Sequence, residues 1–300
     1  MVKLAGIERA AEMGDAAAQM ELARLYLSGR DVPRDLTRSR GYFARAAAAG
    51  ERVAIEVYRA FVANGTGGKP DWSAALDLLE GDRNDPDAAN QLALIRAMQL
   101  DAEGNSQREL AAETLSISPK IVLFQNFVTG AEADYLVSRA TQRFQPALIV
   151  HPVTGLQTPD PVRTSNVAGF PLALEQPVIH ALNRRIAAAS DTDVRAGEPL
   201  TVLRYRPGQQ YWPHLDTLSG ASNQRVATML VYLNDGYGNG ETHFPKLGLK
   251  LRLRKGEGLL FGNVRADGQP DPLSLHEGIR VSSGEKLVAS RWIRQQPLIL

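Results

Sequence analysis

Two hydrophobic periodicities divide the chain. Through roughly its first hundred residues apolar side chains recur every three or four positions, the spacing that puts them on one face of a helix. Gly14-Asp15-Ala16-Ala17 opens such a pattern with Leu22, Leu25 and Tyr26, which stops at Ser28-Gly29. Tyr42, Phe43 and Ala46 follow Val32-Pro33-Arg34-Asp35 and end at Gly50. Val57, Tyr58 and Phe61 then lead to a glycine-rich turn over 64–68, and Trp72, Leu76 and Leu79 come after Pro70-Asp71. A last copy starts at Asp85-Pro86-Asp87-Ala88 with Leu92, Ile95 and Met98. Gly14 and Gly50, Gly29 and Gly65, and Asp35 and Asp71 are each 36 positions apart, which predicts stacked helical hairpins forming a solenoid over about 5–103.

Beyond a short stretch expected to be helical, Ser118-Pro119 marks a change of period. Short β-branched or aromatic runs at 121–124, 200–205, 226–233, 249–253, 258–261 and 286–292, each bounded by Gly, Pro, Asn or Asp, predict strands. Helices are expected over 130–144 and over 175–190, the latter with Val178, Leu182 and Ile186 on one stripe. The expected fold class is α+β: a helical-repeat domain at 1–113, then at 119–300 a jelly roll with supporting helices.

Composition narrows the chemistry. The 300 residues contain no cysteine, which excludes disulfides, thiolate metal sites and cysteine nucleophiles, so a metal here takes nitrogen and oxygen ligands. A formal charge of +1 offers no field for nucleic acid, and no apolar run is long enough to span a membrane. A cytoplasmic protein is expected, since Lys3, Glu8, Arg9 and Glu12 break up the N-terminal stretch.

Three of the five histidines lie beyond residue 200: His214, His243 and His276. In His214-Leu215-Asp216 the alternation of an extended segment points His214 and Asp216 to the same side. A third ligand from another strand, for which His276 is the natural candidate, would complete a facial set of two imidazoles and a carboxylate suited to Fe(II). Lys286 heads an apolar strand ten residues on, where a buried ammonium calls for an anion.

In this region the sequence resembles the prolyl 4-hydroxylases of the Fe(II)/2-oxoglutarate dioxygenase superfamily. The resemblance covers about 119–297 and runs in order through several blocks. These are Arg163-Thr164-Ser165, the stretch from Arg204-Tyr205 to His214-Leu215-Asp216, Arg225-Val226-Ala227-Thr228, and Tyr232-Leu233-Asn234-Asp235. Gly240-Glu241-Thr242-His243-Phe244-Pro245, Leu260-Phe261-Gly262-Asn263, Ser274-Leu275-His276-Glu277-Gly278 and 284–292 complete it. The resemblance implies a double-stranded β-helix in which His214, Asp216 and His276 bind Fe(II). Lys286 would pair with the distal carboxylate of 2-oxoglutarate, with Tyr232, Tyr205 and Thr228 around that cosubstrate. Tyr211, Arg225 and Trp292 match positions that contact a peptide substrate.

The activity so implied is hydroxylation of a prolyl residue in a peptide or protein. O2 is a second cosubstrate, succinate and CO2 are released, and ascorbate is a further implied ligand. Hydroxylation of another side chain or of a free small molecule, and a non-catalytic repeat scaffold, stand as alternatives. The helical repeats resemble tetratricopeptide-like repeats of the Sel-one kind and are expected to offer a surface to a protein partner. His243 is expected to be structural or near the substrate, His151 to lie in a loop, and His180 on a helix surface. The Pro- and Gly-containing stretch at 150–163 is expected to act as a mobile lid.

Overall fold

The computed structural model describes residues 2–150, 157–159 and 162–298, of which 2, 3, 149, 150 and 157–159 are described by backbone alone. His151 and most of the expected lid lie outside the described residues. The chain forms two compact units, one of Met1–Arg108 with Phe170–Arg185, the other of Glu109–Gly169 with Ile186–Leu300.

In the first unit the 36-residue period is conformational as well as chemical. Helix Ala16–Ser28 ends at Gly29 with φ 71°, and helix Arg52–Asn64 ends at Gly65 with φ 79°. In both cases the left-handed cap donates to the carbonyl four residues back. Only glycine suits these turns, since a Cβ on Gly29 would lie 3.1 Å from Arg34 Cβ and one on Gly65 2.9 Å from Pro70 Cδ. The partner helices Leu36–Ala48 and Trp72–Gly81 start alike, with Asp35 and Asp71 accepting from the amides of Arg38 and Ala74. Met20, Ala23, Phe43, Ala46, Ala54, Val57 and Phe61 bury a common core, in which Phe43 and Phe61 meet edge to face at 5.6 Å.

Residues Phe170–Arg185, expected with the strand-rich part, cluster with these hairpins. Leu172 and Ala173 pack on the hairpin core, Asn64 donates to Leu172 O, and Gln176 donates to Glu56 O. His180, on helix Pro177–Ser190, is not a surface residue: it is buried, with Nδ1 2.8 Å from Glu175 Oε1. Its neighbours from the first hundred residues, such as Trp72 at 6.5 Å between ring centroids, cannot be read from local spacing.

The second unit holds an eight-stranded sheet and a four-stranded sheet. Its first strand, Ala111–Ile117, corrects the expectation of a short helix before Ser118-Pro119. Ala and Glu favour a helix, but pairing with Lys120–Gln125 overrides that weak preference. In the large sheet Gly258–Gly262, Arg225–Tyr232, Lys286–Arg294 and Leu200–Tyr205 are neighbours in that order, all antiparallel. Thr242–Phe244 and His276–Gly278 are the inner strands of the small sheet, flanked by Leu249–Leu251 and Tyr211–His214.

Side chains two apart on each strand fill the space between the sheets. Leu203 and Tyr205, Leu259 and Phe261, with Tyr232 and Val288, belong to one buried cluster with Phe244 of the small sheet. This is the jelly-roll layout expected from the strand pattern. Helix Gly130–Thr141 is closed by a capping box in which Thr129 and Glu132 satisfy each other's backbone amides. No helix among the described residues is long and apolar enough to cross a membrane.

Removing one repeat cap tests the helical unit. Asp71→Ala is expected to cost about 1 kcal/mol, seen as faster amide exchange in helix Trp72–Gly81 and a lower midpoint in urea. Unchanged exchange at the Ala74 amide would show that the cap contributes nothing.

Candidate active site and metal centre

His214 ends the edge strand of the small sheet, and His276 begins the next strand, directly opposite it in register. Asp216 follows His214 by two residues, as alternation required. The three donor atoms lie within 4.8 Å of one another. His214 Nε2 is 3.5 Å from Asp216 Oδ1, and His276 Nε2 is 3.7 Å from Asp216 Oδ2.

The second nitrogen of each ring settles its tautomer. His214 Nδ1 lies 2.8 Å from Trp212 O and His276 Nδ1 3.0 Å from Ser274 O. A carbonyl only accepts, so each Nδ1 carries a proton and Nε2 is the nitrogen left for a metal. Burial pushes the His276 imidazolium down to about 4, so the ring is neutral near pH 7. Burial works against ionisation of Asp216, yet His276, His214 and Thr228 outweigh it and hold the carboxyl well below the usual carboxylate range. Two imidazole Nε2 atoms and a carboxylate thus converge, and His214 Nε2 is buried without a hydrogen-bond partner. That arrangement fits a divalent cation, and two nitrogens with one oxygen on one side fit Fe(II).

Behind the carboxylate runs a relay of donors. Asn263 Nδ2 donates to Thr228 Oγ1 at 2.9 Å, and Thr228 Oγ1 donates to Asp216 Oδ2 at 2.6 Å. Thr228, expected beside the cosubstrate, is therefore placed under the metal-ligand carboxylate, outside the lining of the cavity. Asn263 was not singled out by sequence reasoning, because nothing in local spacing shows that its amide meets a threonine 35 residues away.

The ligands open into a narrow cavity whose walls include Leu203, Leu230, Val288 and Trp292. Lys286 and Tyr205, opposite each other in register, both line it. Lys286 is 3% exposed, and its ammonium donates to Gly240 O at 2.7 Å and lies 4.9 Å from the Tyr232 ring centroid and 5.7 Å from that of Tyr205. Burial pushes its pKa down to about 7, against a partial lift from Glu241. One carbonyl leaves two of its three donors for a guest, which suits a dicarboxylate. Tyr232 is fully buried, its phenol held above the usual range by burial, and its hydroxyl meets Thr242 Oγ1 at 2.5 Å. Thr242, also missed from sequence, is the partner of this pair that lines the cavity.

The three residues expected to meet substrate are placed differently from one another. Tyr211 and Trp292 line the cavity, Tyr211 with its ring stacked 3.5 Å from that of His214. Arg225 is outside that lining: its guanidinium makes two bonds to Glu198, at 2.6 and 2.7 Å, and lies 4.2 Å from the Trp292 ring centroid. The same guanidinium thus holds the indole that lines the cavity. His243 is half-buried and paired with Glu277 at 2.8 Å, on the strand next to His276.

Residues 200–294 match the 2OG-Fe(II) oxygenase superfamily. Prolyl 4-hydroxylase 1 of Arabidopsis thaliana is 38% identical over 204 residues, covering 61% of this chain and 72% of that protein. A 2OG complex of viral collagen prolyl hydroxylase from Paramecium Bursaria Chlorella virus-1 is 28% identical, covers 58% of this chain and 95% of its own, and has a TM-score of 0.47. A Sel1 repeat protein of Oxalobacter formigenes is 31% identical over 29% of this chain and 67% of its own, with a TM-score of 0.27.

Two measurements test the centre. Thr228→Val removes the donor to Asp216 and should weaken Mn(II) binding by about 10- to 100-fold, read by calorimetry on the apoprotein; unchanged affinity would show that the relay does not tune the ligand. For Lys286, a guest dianion restores a proton that the free site has lost above pH 7. Affinity for 2-oxoglutarate should therefore fall above that pH, by up to about tenfold per unit. The ligand-free protein should show the opposite slope, because an unfolded Lys286 binds more protons between about 7 and 10.5 and stability rises with pH there. Flat 2-oxoglutarate affinity from pH 7 to 9 would contradict a neutral resting lysine.

Proposed function

Because the chain belongs to the prolyl 4-hydroxylase family of Fe(II)/2-oxoglutarate oxygenases, we propose that it hydroxylates a prolyl residue of a peptide or protein. The observation that carries this reading is one cavity that joins a convergent imidazole–carboxylate triad to a buried ammonium with donors to spare.

His214, Asp216 and His276 would hold Fe(II), and Lys286 would take the distal carboxylate of 2-oxoglutarate beside Tyr205 and the Tyr232–Thr242 pair. The bound metal and keto acid supply the oxidising chemistry, in which O2 is consumed, succinate and CO2 leave, and one oxygen atom becomes the new hydroxyl group. The protein's own part is orientation and exclusion of water. Backbone carbonyls of Trp212 and Ser274 keep both imidazoles in the metal-binding tautomer. Thr228 and Asn263 keep Asp216 ionised and aimed. Leu203, Leu230 and Val288 make the walls apolar, which suits a pyrrolidine ring. Tyr211 and Trp292 offer flat faces to that ring, and Trp292 Nε1, buried and without a partner, is a donor suited to a peptide carbonyl.

The proposal also gives the helical repeats a protein partner. Its support is an open recess in the first unit, lined by Glu8, Glu12, Tyr26, Arg38, Tyr42 and Arg45. The Tyr26 and Tyr42 rings lie parallel there with centroids 5.9 Å apart, and Arg38 and Arg45 cap them at 5.4 and 5.0 Å. The Sel-one kinship of the hairpins, ascorbate as a further ligand and a cytoplasmic setting complete the proposal, each on the sequence reading.

Anaerobic titration of the apoprotein with Fe(II) and then 2-oxoglutarate should develop the visible band of a chelated keto acid, absent in His214→Ala. After admission of air, proline-containing peptides should gain one oxygen atom by mass spectrometry, in step with succinate. A band with succinate but no oxygen on any prolyl peptide would move the target to another side chain or a free small molecule. Folded, metal-loaded protein without a band would sink the enzyme reading.

A further inference from the structure

The end of the expected lid and the residue after it are tied to the strand that carries the first metal ligand. Trp212 N donates to Val162 O, Thr164 N donates to Gln210 O, and Gln210 N donates to Thr164 Oγ1. Arg163 forms an isolated antiparallel bridge with Tyr211 inside this ladder. Directly bridged residues send their side chains to the same face. The Arg163 guanidinium accordingly lies over the Tyr211 ring, 5.4 Å from its centroid. The Tyr211 ring is stacked on the His214 imidazole, with centroids 3.5 Å apart and planes 15° apart. At that separation the imidazole covers one face of the phenol ring, which leaves the other for the guanidinium.

From this three-layer stack we infer that Arg163 is a positioning residue: through Tyr211 it holds the His214 ring flat and sets one wall of the substrate cavity. Two constraints then fix the imidazole. The hydrogen bond from Nδ1 to Trp212 O restrains the ring in its own plane. The stack restrains it from tilting out of that plane, and a ligand lone pair is useful only when aimed at the metal. Both constraints come from residues 211 and 212, the pair tied to 162–164. A cation–π contact is suited to the task because the quadrupole of the ring attracts the guanidinium to its face whichever way the planar fork turns.

The same device stands on another wall of the cavity, where Arg225 lies over Trp292. There the guanidinium is paired with Glu198, which Arg294 shares, so the stack is anchored by an ion pair. On the Tyr211 side a backbone ladder brings the arginine to the ring.

The test rests on His214 being a metal ligand and uses a readout that does not depend on turnover. Co(II) is added to anaerobic full-length apoprotein, and affinity is measured by calorimetry together with the visible d–d spectrum. Arg163→Gln, which keeps hydrogen-bonding capacity and loses the cation, should bind Co(II) about tenfold more weakly with an altered band shape. Arg163→Lys, which keeps a cation over the ring, should recover most of both. In a Tyr211→Leu background Arg163→Gln should add nothing, because the intermediary is gone. Wild-type affinity and spectrum in Arg163→Gln would overturn the inference, as would an equal loss in the Tyr211→Leu background. His214→Ala serves as the separate control: if it binds Co(II) like the wild type, the ligand assignment fails, whatever Arg163 does.

Discussion

In an antiparallel pair, directly opposed residues leave the sheet on the same side, and a slip of one position would send one of them to the other. His276 stands opposite His214 in that way, and two residues beyond His214 the chain returns Asp216 to the same place. Three ligands therefore need only two neighbouring strands and one step of alternation. What fixes that register is the hydrophobic space between the two sheets: Phe244 from the small sheet and Tyr205, Tyr232, Phe261 and Val288 from the large one fit only when these faces point inward. The two imidazoles are thus set by core packing, while Asp216, just past the end of its strand, is held by the Thr228 hydroxyl.

That location makes charge expensive, and the site uses the expense. An ionised carboxylate and an ammonium sit in one cavity among Leu203, Leu230 and Val288, where either is unfavourable alone. Asp216 accepts the Thr228 hydroxyl, while Lys286 is left with a carbonyl and two aromatic faces. The protein's own groups therefore do not satisfy one another. A divalent cation answers the first deficit and a dianion the second, so the empty electrostatics of the cavity describe both guests.

The helical unit works on a different principle. Its stability comes from repetition of the same caps and the same close approaches at 36-residue spacing, so that each hairpin covers its neighbour. Leu172, Ala173 and Gln176 extend that stack with residues taken from far along the chain. Tyr26 and Tyr42 pack into the hairpin cores while Arg38 and Arg45 lie over their rings at the rim of a recess.

Much of this was legible in the residues themselves. The period of 36, the glycine turns and the aspartate caps are local, because a helix end is decided by a few neighbouring dihedrals and hydrogen bonds. The switch to period two, the pairing of His214 with Asp216, and the need of Lys286 for an anion are local as well. The strand Ala111–Ile117 escaped because its partner, not its composition, makes it a strand. His180 escaped because its burial depends on residues a hundred positions away. Asn263 behind Thr228, Glu198 under Arg225 and Arg163 over Tyr211 are contacts between residues that only sheet order brings together. The sequence by itself determined which chemistry the protein carries, since that depends on residue types and short spacings. Tertiary structure alone decided which side chains support that chemistry, since such support is a matter of distances across strands.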